Sequence, residues 1–184
     1  MSLELLNKVK ALHGREVHIL GHEHSFKAAV LLPLRQRGDT LEVLFEKRAA
    51  HLKKQPGDVC FPGGRIEEKD RHPSETAVRE TCEELGLAPE QIQVLAPLDV
   101  LVTNYHGHIY PFVGLIDHEA KLNPNPEEVE KVFAVPLSFF LETEPERYDV
   151  TLAVHPPEDF PFDRIVRGRK YRFRKSTIPE YFFT

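Results

Sequence analysis

Three glutamates, Glu80, Glu83 and Glu84, stand at i, i+3 and i+4. If residues Pro73 to Leu85 form a helix, that spacing puts all three carboxylates on one face. Like charges this close repel one another unless a cation neutralises them. Clustered hard oxygen ligands suit Mg²⁺ or Mn²⁺. An ion held there could grip phosphate oxygens and activate a water. The same spacing also fits a plain solvated acidic face, so the neighbours must decide. Gly63-Gly64 precedes the segment, where backbone can come close and offer a carbonyl oxygen. Arg79 adjoins the acids, and its fork could hold an acidic loop side chain.

The elements that would position these groups follow from pattern. Val78, Cys82 and Leu85 stand at i, i+4 and i+7 and are expected to pin the helix to a core. That would leave the three carboxylates pointing outward. Pro73 and Ser74 are start signals, and Gly86 fits a left-handed C-cap. Ala28 to Leu34 reads as a buried strand, with Leu41 to Phe45 its hairpin partner through Gly38-Asp39. Leu52 to Gly64 reads as loop. Gln91 to Leu101, Ile109 to Ile116 and Val132 to Val135 read as strands, Pro136 to Leu141 as a helical turn, and the rest as an irregular tail. Strands interspersed with helices predict an α/β or α+β fold.

The chain has 184 residues, enough for one domain with a real core. Its formal charge of −5 gives no global pull toward nucleic acid or an anionic membrane. Cys60 and Cys82 form no Cys-x-x-Cys pair, so zinc clusters and disulfide scaffolds are not expected. No apolar stretch is long enough to span a membrane. Residues 1–14 read as a short amphipathic helix ended by Gly14, not a secretory signal. The cytoplasm is the expected compartment. The pairs His22/His24 and His106/His108 lack a third ligand at motif spacing, which argues against zinc. Tyr105 to Tyr110 reads as a loop over a substrate.

The run from Gly64 to Leu87 resembles the Nudix box. That box reads Gly, five residues, Glu, seven residues, Arg-Glu, an apolar residue, any residue, Glu-Glu, any residue, Gly and an apolar residue. Arg79, Glu80, Glu83, Glu84, Gly86 and Leu87 fall on its second half without a gap. Thr81 stands where an aliphatic residue is usual. One extra residue lies before Arg79, so the isolated Glu of the box has no match in register. Asp70 or Glu67 would serve Arg79 instead. The resemblance implies one Nudix domain over residues 1–184, an α/β/α sandwich with a mixed sheet. It implies Mg²⁺ or Mn²⁺ held by Glu80, Glu83 and Glu84, with the Gly64 carbonyl assisting, and a catalytic part for Arg79, Glu80 and Glu83. The residues from Pro124 to Leu137 are similar to a late Nudix segment in which a glutamate reaches the metal site or acts as a base. Glu128 is the first choice there and Glu127 the second.

Residues 44–64 resemble the signature of coenzyme A pyrophosphatases, Leu-Leu-Thr-x-Arg-Ser, then Leu, then His-x-Gly-x-Val-x-Phe-Pro-Gly-Gly. Arg48, Leu52, Gly57, Val59, Phe61, Pro62, Gly63 and Gly64 match. Ala49 replaces the usual Ser, and Gln55 stands where His is usual. This resemblance implies hydrolysis of the diphosphate of coenzyme A or its thioesters to 3′,5′-ADP and (acyl-)4′-phosphopantetheine. Arg48, Lys53, Lys54 and Gly57 are its candidate substrate contacts, while Phe61 reads as core packing. The departures at Ala49 and Gln55 keep open a pyrophosphatase of other nucleoside diphosphate derivatives, such as ADP-ribose. A non-catalytic Nudix ligand sensor is the other alternative. The expected partner is a small nucleotide substrate, with neither nucleic acid nor membrane, and a homodimer stays open. The family's terminal Trp-Gly-x-Thr-Ala helix has no counterpart before Thr184, which gives a truncated C-terminus as an expectation.

Overall fold

In the computed structural model, β1 (Phe26–Arg37) pairs in parallel with β7 (Gly107–Ile116) over ten residues, and every other pairing among the described residues is antiparallel. The structure describes residues 25–103 and 107–184, with positions 7, 8, 10, 13 and 14 besides. The helix expected at residues 1–14 and the His22/His24 pair fall almost wholly outside them. Two units are distinguished, Met1–Pro136 and Leu137–Thr184.

The first unit holds an eight-stranded mixed sheet, as expected for an α/β fold. β1 is nearly continuously apolar from Ala28 to Leu34, as a strand covered on both faces must be. It turns through Gly38, at φ 59°, into β2 (Thr40–Arg48). The two strands stay paired only from Leu34 to Arg37 and then part. On its freed edge β1 takes up β4 (Gly63–Arg65). β2 takes up β3 (Val59–Cys60) and β8 (Val129–Pro136). The fork between β1 and β2 is therefore lined by β4 on one side and by the end of β2 on the other. The predicted loop Leu52–Gly64 thus contains two short strands that close this fork.

α1 (Pro73–Leu85) packs mainly on β1 and β4. The His72 side chain caps it by accepting from the Ser74 N–H, at 3.2 Å, and Gly86 ends it at φ 67°. The core joins Ala29, Leu31, Leu44, Ala77, Leu85, Leu87, Ile92, Phe112 and Ile116. Full burial of a leucine such as Leu31 or Leu85 contributes about 1.5–3 kcal/mol.

Several expectations need correction. Val78 and Cys82 pack against the core with Leu85 as expected, but only half-buried, and the buried residues of α1 also include Thr76, Ala77, Thr81 and Glu84. Thr81 tolerates burial because its hydroxyl donates to the Ala77 carbonyl at 2.7 Å. The strand expected at 91–101 is split into β5 (Ile92–Pro97) and β6 (Leu101–Val102). Residues 107–110 belong to β7 rather than to a loop, while 104–106 lie outside the described residues. In the second unit α2 (Leu137–Glu142) matches the predicted helical turn. The tail is not irregular: β9 (Glu146–Leu152) and β10 (Ser176–Phe182) form an antiparallel pair. No described helix is long and apolar enough to cross a membrane.

Candidate active site in the strand fork

The acidic face of α1 splits into three environments. Glu84 is buried, and its Oε2 accepts from the Gly63 N–H at 2.9 Å. Glu80 is mostly covered, with 16% of its side chain exposed, and Glu83 is open at 55%. The outward-pointing trio of the sequence reading is therefore incorrect for Glu84. The helix turns this residue toward β4, where the double glycine leaves room. A Cβ on Gly64 would run into the Glu80 carboxylate. Gly64 thus admits the Glu80 carboxylate against bare backbone, while Gly63 receives Glu84 through its N–H.

Two further acids complete the cluster from other elements. Glu46, on β2, is wholly buried. Its Oε1 accepts from the Cys60 thiol at 3.4 Å, and its Oε2 is buried with no hydrogen-bond partner. Glu46 is not among the site residues expected from the sequence. The only sequence signal was a carboxylate inside the apolar run of β2. Glu128 arrives from the loop before β8. Its amide donates to the Asn125 carbonyl at 3.1 Å, and its carbonyl accepts from the Ala49 N–H at 2.8 Å. The same loop caps α1, because the Asn123 and Asn125 amides donate to the Leu85 and Glu84 carbonyls. One loop therefore ties the helix end to the position of Glu128. Glu127, the second choice, is 86% exposed and lies 3.9 Å from His51.

These acids act on one another. Burial raises Glu84 most, and the charges of Glu46, Glu80 and Glu128 push it further, to about 8. Burial likewise raises Glu46 and Glu80. The Cys60 thiol is pushed up to about 12, first by burial and then by Glu46.

Arg79 is the chief counter-charge. Its Nη2 and Nε donate to Asp70 at 3.0 and 3.3 Å, a fork on one carboxylate. Its Nη1 reaches Glu80 at 2.8 Å and Glu83 at 3.4 Å. Glu67 stands 3.9 Å away, so of the two proposed loop partners Asp70 holds the arginine. Asp70 also accepts from the Thr76 hydroxyl and the Glu67 amide, and its carboxyl lies well below the usual range, chiefly through Arg79.

Arg48 closes β2 beside the cluster. Its amide donates to Asp58, and its carbonyl accepts from Gly57, which sits at φ 77°. Its Nε is buried without a partner, and its charge lowers Glu46 and Cys60. Lys53 and Lys54 are exposed and form no ion pair among the described residues. Phe61 stacks on Phe45 at 4.9 Å, the packing role read from sequence.

Among the described residues, no three carboxylate, imidazole or thiol groups form a ready-made metal cage. Arg79 draws Glu80 and Glu83 toward itself instead. The donor set still fits a hard divalent cation. It is all oxygen, one buried oxygen lacks a partner, and burial, with the neighbouring carboxylates adding to it, holds Glu46, Glu80 and Glu84 above their ordinary range.

A family model described as NUDIX domain matches residues 25–154. The chain is 43% identical over 120 residues to the peroxisomal coenzyme A diphosphatase NUDT7 of Mus musculus, covering 65% of this chain and 51% of that protein. It is 39% identical over 124 residues to the mitochondrial Nudix hydrolase 15 of Arabidopsis thaliana, covering 66% and 44%. The chain thus spans about half the length of the curated relatives it matches. Among solved structures, the C. elegans Ap4A hydrolase binary complex aligns with TM-score 0.52 at 17% identity, covering 62% of this chain and 83% of that one. RenU, a Nudix hydrolase from M. smegmatis, aligns at 0.51 and 21%, covering 63% and 73%. At these identities the two structures speak for the fold alone.

Proposed function

The chain belongs to the NUDIX domain family, and from that premise we propose that it hydrolyses the diphosphate bond of coenzyme A or its thioesters. The carrying observation is the fork between β1 and β2, where Glu84 is buried on the Gly63 amide, Glu80 lies against Gly64, and the charges of Glu46 and Glu128 bear on Glu84. The relative named as a coenzyme A diphosphatase supports the substrate.

In this reading Glu80, Glu83 and Glu84, with the Gly64 carbonyl, hold Mg²⁺ or Mn²⁺. When bound, the ion supplies Lewis-acid neutralisation of the diphosphate and a more acidic water. The remaining work belongs to the chain. Asp70 anchors Arg79, which keeps Glu80 and Glu83 aligned. Arg48 offers a cation at the cluster's edge, and Lys53, Lys54 and Gly57 belong to the loop that would receive the substrate phosphates. A water oxygen bonds to phosphorus, the bridging P–O bond breaks, and the water's proton passes to a carboxylate, for which Glu128 is our choice.

The test is product analysis by mass spectrometry after incubation with coenzyme A, Mg²⁺ or Mn²⁺, and H₂¹⁸O. We expect 3′,5′-ADP and 4′-phosphopantetheine, one of them carrying the label. Much faster turnover of ADP-ribose would replace the substrate assignment. The double variant E83Q/E84Q should lose nearly all turnover and remain folded. A folded wild-type chain with no turnover on either substrate would make it a ligand sensor.

A further inference from the structure

Residues 164–175 carry seven cationic side chains and no acidic one, in a chain whose net charge is −5. Arg164, Arg167, Arg169, Lys170, Arg172, Arg174 and Lys175 are all exposed. None forms an ion pair among the described residues. A run of like charge normally repels itself into a loose, solvated segment. Here it is built on an aromatic cluster. Phe160 packs on Phe162 and Phe173 at 5.0 and 5.7 Å, and Tyr171 packs on Phe173 at 5.0 Å. The Arg169 guanidinium lies 5.4 Å from the Phe162 ring centre. Concentrating cations on an ordered scaffold is unfavourable until an anion offsets them.

Beside this scaffold lies a hollow of about 620 Å³, lined by Ala153, Val154, His155, Arg172, Phe173 and Lys175. Its volume suits a small ligand, and its lining contains no acid. One part offers an aromatic ring and two apolar side chains, the other two fixed cations and an imidazole. Concavity favours a small molecule over an extended polymer or a bilayer. We infer that the hollow bounded by His155, Arg172, Phe173 and Lys175 binds a phosphorylated nucleotide, with the base against Phe173 and the phosphate on Arg172 and Lys175. Most of this segment lies beyond residue 154, where the family match ends. The inference rests on residues of the second unit alone and does not depend on the hydrolysis proposed above.

The experiment is calorimetric titration of 3′,5′-ADP into the full chain in EDTA, where the carboxylate cluster has no metal to hold a phosphate. We expect one nucleotide per chain, retained in E83Q/E84Q and weakened roughly tenfold or more in R172Q/K175Q. Inorganic phosphate should bind more weakly. Phe173→Leu should weaken the nucleotide and leave phosphate unchanged. Circular dichroism checks that the variants fold; Arg172 and Lys175 are exposed, so their loss should not disturb the fold. No binding by the wild-type chain, or equal binding by R172Q/K175Q, overturns the site. Phosphate as tight as the nucleotide reduces it to a bare anion patch and overturns the nucleotide assignment. So does tighter binding of a single-stranded oligonucleotide or of phosphatidylserine vesicles. Loss of coenzyme A hydrolysis with nucleotide binding intact would count against the proposed function alone.

Discussion

Gly64 and Glu80 stand so close that a single methyl group on the glycine would occupy the space of the glutamate's carboxylate. At the preceding residue, the obstacle to a methyl group is different. A Cβ on Gly63 would meet the Ala29 carbonyl oxygen and the Val30 Cα, the latter at 2.7 Å, both of them backbone of β1.

The two glycines should therefore fail differently. In Gly64→Ala the flexible end of Glu80 can swing aside, so stability should change little while kcat/KM falls by roughly a hundredfold. In Gly63→Ala the backbone of β4 must leave β1, at a cost of about 1–3 kcal/mol. Thermal unfolding beside coenzyme A kinetics separates them. A Gly64→Ala protein with full activity would remove Glu80 from the reaction.

The carboxylate trio was legible because helical period and glycine punctuation are local. Glu80, Glu83 and Glu84 needed only the spacing of one helix, and Gly86 ends it where read. Its buried side was read only in part: hydrophobicity selects Val78 and Cys82, which do pack against the core, and passes over Thr81 and Glu84, which are buried with a hydrogen bond each. Glu46 could not be found the same way. Its role depends on the parting of β1 from β2, which is set by pairings with β4 and β8 far along the chain. Likewise β9 and β10 find each other across residues 153–175, a non-local match that neither strand announces.

Asp70 predicts an acid-side stability change. Its carboxyl is held below its ordinary value of about 3.9, first by Arg79. A depressed acid stabilises the fold above its unfolded pKa, and that contribution is lost as pH falls through the folded one. Asp70→Asn should therefore destabilise the protein by about 1–3 kcal/mol at pH 7, and the difference from wild type should shrink below about pH 4. Urea unfolding from pH 7 to pH 3 measures it. A gap that stays constant across that range would mean that Arg79 does not depend on the charge of Asp70.

Glu84 has the opposite sign. Its folded pKa is raised to about 8, chiefly by burial. The contribution is fully present below the unfolded value of about 4.3, and declines as pH rises to about 8. In EDTA, wild-type stability should fall across this window, and Glu84→Gln should flatten the fall while abolishing turnover in Mg²⁺. Unfolding curves of the two proteins at pH 5, 7 and 9 decide it. Parallel curves would show that the carboxyl ionises as freely in the fold as in the open chain.

Glu127 and Glu128 are neighbours in sequence with different surroundings. Glu128 bears on the charges of Glu46, Glu80 and Glu84, while Glu127 is solvated beside His51. Replacing each by Gln keeps the shape and removes the charge. Glu128→Gln should lower kcat by roughly a hundredfold with little change in KM, as expected for a group acting on the reacting water. Glu127→Gln should stay within about twofold of wild type, since an exposed pair contributes little. Equal kinetics for the two variants would return proton transfer to the carboxylates of α1.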